Sequence, residues 1–181
     1  MSILLKPFDK IYNLARANSL TPFVYASSCC GTEILSLAAF DNNNINFDND
    51  IICQNPRHSD LLIVAGVITD KSAEILKNIY EQMPEPKYVI AAGVCACSGG
   101  VFKNASYSVI CGADKIIPVD IYLPMCPPEP EDILNAITKL KEKIMSETIL
   151  KRKEYINSHI SDSDFSENED ILTDKNIKQE E

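Results

Sequence analysis

Two short apolar runs constrain this chain most. Asp60-Leu61-Leu62-Ile63-Val64-Ala65-Gly66 and Lys87-Tyr88-Val89-Ile90-Ala91-Ala92-Gly93 are continuous rather than alternating, and each ends in glycine. A strand with one wet face alternates apolar and polar residues. An unbroken run is the pattern of a strand buried on both faces, as in a parallel sheet covered by helices. Between the runs, Thr69 or Asp70 can cap a helix reaching about Gln82, with Ile75, Leu76, Ile79 and Tyr80 on one face. Met83-Pro84-Glu85-Pro86 stops it. Pro22 to Ser27 reads as an earlier strand, followed by a helix from Gly31 to Phe40. Lys115-Ile116-Ile117-Pro118-Val119 reads as a fourth, short strand. Pro127-Pro128-Glu129-Pro130 then opens a helix with Ile133, Leu134, Ile137, Leu140 and Ile144 on its inner stripe. This βαβα order predicts a parallel sheet flanked by helices, without internal repeats.

The 181 residues, 45% apolar, suffice for one domain with a real core. Three parts are expected. Residues 1–20 form an amphipathic segment, with Phe8, Ile11, Tyr12 and Ala15 on one helical face and Lys6, Lys10 and Arg16 off it. That face could lie on a membrane surface or membrane subunit, or pack on the chain's own core. Residues 21–145 form the α/β domain. Residues 146–181 carry five basic and ten acidic side chains and read as a disordered or loosely helical acidic tail. The net charge of −9 argues against general nucleic-acid affinity. No apolar stretch approaches the roughly 18 residues that span a bilayer. The start, Met1-Ser2-Ile3-Leu4-Leu5-Lys6-Pro7, shows no signal-peptide pattern. Seven cysteines without an export signal then argue for reduced thiols that bind metal or do chemistry.

The strand order places those cysteines. Cys29 and Cys30, followed by Gly31, come after the first strand; Cys95 follows the third; Cys126 lies a few residues beyond the fourth. Ligands of open α/β sheets bind outside the carboxyl ends of the strands, so all four thiols fall on one edge. Adjacent cysteines do not readily pair with each other, but both can face one inorganic cluster. Four thiolates from separate strand ends suit an iron–sulfur cage. Gly31 and Gly93 let backbone pass close to a bulky group, and Pro127 fixes the chain beside Cys126. A structural zinc site is the alternative; it usually offers Cys-x2-Cys knuckles, which these four lack.

Other residues have two readings each. Cys97, in Cys95-Ala96-Cys97, is an alternative ligand or a small apolar filler; Cys53 and Cys111 read as fillers. His58 is a local loop hydrogen-bonder or a redox-linked proton site. Arg57 is a surface ion-pair partner or a stabiliser of a reduced cluster. Glu33 is a helix-dipole partner in a first turn or a buried carboxylate at a partner interface.

Several segments are recognisable together: Ala15-Arg16-Ala17-Asn18-Ser19-Leu20, Cys29-Cys30-Gly31-Thr32-Glu33, Pro56-Arg57-His58-Ser59-Asp60, Tyr80-Glu81-Gln82-Met83-Pro84-Glu85-Pro86-Lys87 and Pro118-Val119-Asp120-Ile121-Tyr122-Leu123-Pro124-Met125-Cys126-Pro127-Pro128. From about Arg16 to Ile144 the chain resembles the B-type (PSST-type) subunit of complex I-like NADH–quinone oxidoreductase. It is similar too to the small subunits of membrane-bound energy-converting [NiFe] hydrogenases. The resemblance implies an α/β, single-domain, flavodoxin-like parallel sheet with one [4Fe–4S] cluster at the carboxyl ends of its strands, held by Cys29, Cys30, Cys95 and Cys126. In complex I that cluster is the terminal one and reduces quinone. The quinone head sits between this subunit and a larger D-type (49 kDa-like) neighbour, which supplies the protonating residues. Further implied partners are a ferredoxin-like iron–sulfur subunit and membrane subunits that move protons. The implied place is peripheral, on the cytoplasmic face of the cell membrane, and the chain alone would complete no enzymatic cycle.

The adjacent cysteine pair is the complex I pattern; hydrogenase relatives have Cys-x-x-Cys, and Ser27 stands three before Cys30. Val94-Cys95-Ala96-Cys97-Ser98-Gly99-Gly100-Val101-Phe102 resembles the hydrogenase type instead. Pro124-Met125-Cys126 departs from the usual Pro-Gly-Cys, and Asp41 to Phe47 lacks an arginine common there. The alternatives are thus a hydrogenase small subunit and, from another class, a non-catalytic assembly protein with a structural metal.

Overall fold

The computed structural model describes residues 6–39, 55–147, 152 and 155. Four parallel strands, β1 (Pro22–Ala26), β2 (Leu61–Ala65), β3 (Tyr88–Ala92) and β4 (Ile121–Leu123), lie side by side in chain order. Their register pairs Ala26 with Ala65, Ala65 with Ala92, and Ala92 with Leu123. The carboxyl ends therefore finish level, along one edge. Every residue of β2 and β3 is buried, as the unbroken apolar runs require.

Helices cover both faces. On one face α2 (Ser28–Ala39) and α5 (Pro130–Ser146) bury Ile34, Ile133, Ile137, Leu140 and Ile144 against Leu61, Ile63 and Ile90. On the other, α3 (Asp70–Gln82) buries Ala73, Leu76 and Tyr80 against Leu62, Val64 and Val89. A reciprocal hydrogen-bond pair between Thr69 and Ser72 starts α3. Its inner stripe differs from expectation at one place: Ile75 is exposed, and Ala73 takes the core position. The five-residue helix α4 (Val94–Ser98) follows β3 directly.

The fourth strand is displaced from the predicted Lys115–Val119 to Ile121–Leu123. Residues 113–115 make a 3-10 turn, and Pro118 has no N–H to give a ladder. Pairing begins only at Asp120, whose N–H donates to the Val89 carbonyl at 2.9 Å. Asp120 Oδ2 accepts the Val89 N–H at 3.0 Å, so a side chain closes this end of the ladder. That carboxylate is fully buried and is paired with Lys143 and with Arg152. Arg152 falls within the span read as tail, yet it is buried and stacks on Tyr88. The remaining tail positions from 156 onward, and residues 40–54, lie outside the described residues.

Helix α1 (Lys6–Asn18) packs on α5 through buried Asn13 and Ala17, and Asn13 Nδ2 donates to the Glu147 carbonyl at 2.7 Å. Ile11, Tyr12 and Leu14 are exposed. Of the face offered either a membrane or the chain's own core, Ile11, Tyr12 and Ala15 are exposed, and the side chain of Phe8 lies outside the described residues.

Candidate metal centre

Three loops meet at the level carboxyl edge. β1 ends at Ala26 and α2 begins at Ser28, so Cys29 and Cys30 occupy the first turn of that helix. The helix starts earlier than predicted, which moves Glu33 to the second turn, where the helix dipole is weaker. Gly93, between β3 and α4, adopts φ of +96°, and a Cβ there would lie 2.5 Å from Cys30 Sγ. The Cys30 sulfur thus passes over a backbone position that only glycine leaves open. The loop carrying Cys126 is laced to the same turn. Gly93 N–H donates to the Leu123 carbonyl at 2.9 Å, and Val94 N–H to the Met125 carbonyl at 3.0 Å. Cys95 follows on α4.

The two buried thiols lie within electrostatic reach of the two exposed ones. Cys30 and Cys95 are buried, Cys29 and Cys126 exposed. Burial pushes the Cys30 thiol up to about 11, and Cys29, Cys126 and Cys95 add to the shift. Burial likewise raises Cys95, with Cys126 and Cys29 contributing. Each buried thiol therefore senses neighbours from the other two loops. Without a metal these groups are neutral thiols; a cationic centre would bind them as thiolates and release their protons. A lone zinc ion, with Zn–S near 2.3 Å, needs sulfurs roughly 4 Å apart. Among the described residues, no three His, Cys, Asp or Glu groups converge for a single metal ion. Four thiol sulfurs brought to one edge, two buried and two exposed, are the donor chemistry that an iron–sulfur cluster takes.

The remaining candidates separate from this centre. Cys97 turns its Sγ to the Ala91 carbonyl at 3.4 Å and packs with the apolar cluster under α3. Cys111 is half-buried against Gly99, whose added Cβ would meet its Cα at 3.1 Å. Cys53 lies outside the described residues. Arg57 and His58 are exposed on a 3-10 turn before β2, at the amino edge of the sheet. The five residues of β2, about 16 Å of strand, separate that edge from the thiols. Arg57 is therefore not a neighbour of a cluster at the carboxyl edge. Ser27, by contrast, reaches with its hydroxyl the carbonyls of Ala65, at the end of β2, and of Val67, just beyond it; a lone serine before a cysteine pair carries no signal of that reach in sequence.

Comparison with known proteins agrees in fold and family. The profile described as NADH ubiquinone oxidoreductase, 20 Kd subunit, matches residues 26–140. NAD(P)H-quinone oxidoreductase subunit K of Prochlorococcus marinus (strain MIT 9215) is 46% identical over 160 residues, covering 87% of this chain and 65% of that protein. The chloroplastic subunit K of Chlorokybus atmophyticus is 45% identical, covering 87% of this chain and 57% of its own length. That of Physcomitrium patens is 47% identical, covering 85% and 59%. The match thus spans less than two thirds of these relatives' length. Among solved structures, a chain of the membrane-bound sulfane sulfur reductase, an archaeal respiratory membrane complex, superposes with a TM-score of 0.66 at 29% identity, covering 94% of this chain and 96% of that one.

Proposed function

The chain belongs to the family described as NADH ubiquinone oxidoreductase, 20 Kd subunit, and from that premise we propose that it is the electron-transfer subunit of a complex I-like quinone oxidoreductase. One observation carries the reading: Cys29, Cys30, Cys95 and Cys126, from three loops, share one edge of the sheet. These four would hold one [4Fe–4S] cluster. Such a group, when bound, accepts and returns single electrons at a potential tuned by its surroundings. The chain's own contribution is placement. Buried Cys30 and Cys95 would hold the cluster from below the surface, and the Gly93 turn opens room for the Cys30 sulfur. Exposed Cys29 and Cys126 would hold it from the surface side, where Cys126 follows the exposed Met125.

Exposed thiols next to an exposed Met125 suit a partner that covers them. The partner proposed is a larger D-type subunit, with quinone held between the two. A ferredoxin-like subunit would deliver electrons. Among the described residues no helix is long and apolar enough to cross a membrane; the attachment proposed is through membrane subunits, on the cytoplasmic face. The hydrogenase reading has one specific support, the Cys95-Ala96-Cys97-Ser98-Gly99-Gly100 segment. It requires nickel in the larger neighbour.

The test is the electron paramagnetic resonance of the reduced complex. Cys95→Ser is expected to remove or convert the signal of this cluster and to suppress quinone reduction, and Cys111→Ser to change neither. The opposite pattern refutes the ligand set. Stoichiometric nickel in the wild-type complex moves the assignment to the hydrogenase.

A further inference from the structure

We infer that Ser27 is a positioning residue that sets the cysteine pair through the end of β2. The inference rests on the cluster reading above but concerns a residue outside the ligand set. Ser27 is the link between β1 and α2, two residues before Cys29. Its carbonyl accepts the first helical bond of α2, from Gly31 N–H at 3.3 Å. In that N-cap place a serine hydroxyl ordinarily turns forward, to accept an N–H of the first helical turn. Here it turns sideways instead. Ser27 Oγ lies 2.9 Å from the Ala65 carbonyl and 2.9 Å from the Val67 carbonyl, and shares its one proton between them. Ser27 N–H donates to the same Ala65 carbonyl at 2.9 Å.

The seat is shaped for this contact. Gly66, between the two accepting residues, adopts φ of +94°; a Cβ there would lie 1.9 Å from the Ser27 carbonyl oxygen and 2.6 Å from Oγ. No other residue type permits the approach. The next residue, Ser28, holds a positive φ of 58° although it is not glycine, so this turn is over-determined by its surroundings. Gly66 N–H in turn donates to the Ala92 carbonyl at 3.4 Å, immediately before the Gly93 turn beneath Cys30. A bonded path therefore runs from the Ser27 hydroxyl through the end of β2 to the end of β3. It ties the loop of Cys29 and Cys30 to the loop of Cys95. With the hydroxyl gone, the β1–α2 link loses its side-chain tie to β2, and the sulfurs two and three residues on lose their fixed height above the edge.

The experiment uses Ser27→Ala and Ser27→Thr in the full chain within its complex, with two readouts. The first is the resonance line shape of the reduced cluster per chain. Ser27→Ala is expected to shift its g-values or lower its amplitude severalfold, and Ser27→Thr, which keeps the hydroxyl, to restore the wild-type spectrum. The second is the alkylation rate of each cysteine in the metal-free chain, read by mass spectrometry. Ser27→Ala is expected to speed Cys29 and Cys30 severalfold, leaving Cys97 and Cys111 unchanged. An unaltered spectrum together with unaltered rates overturns the inference. A uniform acceleration at all cysteines overturns it too, because it shows general loosening; this readout still decides when the variant loads no cluster. A wild-type complex with no iron–sulfur signal refutes the cluster reading itself.

Discussion

Arg152→Ala tests whether the segment after α5 is part of the folded domain. Asp120 carries a fully buried carboxylate that accepts from Val89 N–H, from Lys143 Nζ at 3.0 Å and from the Arg152 guanidinium. Arg152 also donates to the Lys87 carbonyl, and its guanidinium lies 4.3 Å from the Tyr88 ring centroid. The substitution leaves a buried carboxylate short of its main cation and a buried carbonyl short of a donor. Breaking a buried pair from one side costs roughly 3–5 kcal/mol. Lys143 remains as a second cation, but its side chain is 35% exposed, so the compensation is partial and the loss falls at about 3 kcal/mol. With a urea slope of about 2 kcal/mol/M, the unfolding midpoint drops by about 1.5 M. Urea titration followed by far-ultraviolet circular dichroism measures it, and truncation after Glu147 is expected to cost as much. A midpoint within about 0.3 M of wild type refutes the reasoning and returns Arg152 to a solvated tail.

Gly93→Ala drives a methyl group to within 2.5 Å of Cys30 Sγ on a backbone of positive φ. Iron per chain is expected to fall severalfold, and wild-type iron content contradicts this. Among the described residues the buried Tyr80 hydroxyl meets no hydrogen-bond partner, so Tyr80→Phe is expected to be neutral or stabilising by about 1 kcal/mol. A loss above about 1.5 kcal/mol means the hydroxyl is satisfied in solution. Lys87 is buried, with its ammonium 2.7 Å from the Tyr80 carbonyl, and burial holds its pKa below the usual 10.5 against the opposing pull of Glu85 and Glu81. Below 10.5 the unfolded chain then binds more protons than the folded one, so this lysine makes stability rise with pH in that window. The stability of wild type relative to Lys87→Met is expected to climb from neutral pH toward 10.5; a flat difference contradicts it.

Local patterns were readable where burial is decided by neighbours in sequence. The runs Leu61–Ala65 and Tyr88–Ala92 announce strands covered on both faces, and Pro130 with the Ile133, Ile137, Leu140, Ile144 spacing announces α5. The level strand ends then carry the four cysteines to one edge without further information. What escaped depends on contacts between distant positions. Arg152 sits between Lys151 and Lys153 in a segment that is acidic as a whole, and nothing local reveals an ion pair with Asp120, 32 residues away. Ile116, Ile117 and Val119 look strand-like in sequence, but Pro118 cannot donate to the ladder, so β4 starts later, at Ile121. Among the described side chains helix α1 docks by Asn13 and Ala17, while Ile11 and Tyr12 of the expected apolar face are exposed. A polar residue there serves because its amide finds the Glu147 carbonyl, and hydropathy alone points the other way. Arg57 and His58 sit close to strand β2 in sequence, but before it rather than after it, and so at the wrong edge.

The central claim is that Cys29, Cys30, Cys95 and Cys126 hold one iron–sulfur cluster. The most direct measurement is the metal and sulfide content of the full chain, prepared without oxygen, beside a variant with all four cysteines changed to serine. The account predicts about four iron and four sulfide per wild-type chain, the composition of a [4Fe–4S] cluster, and none in the variant. Stoichiometric zinc, or iron retained when the four thiols are gone, contradicts it.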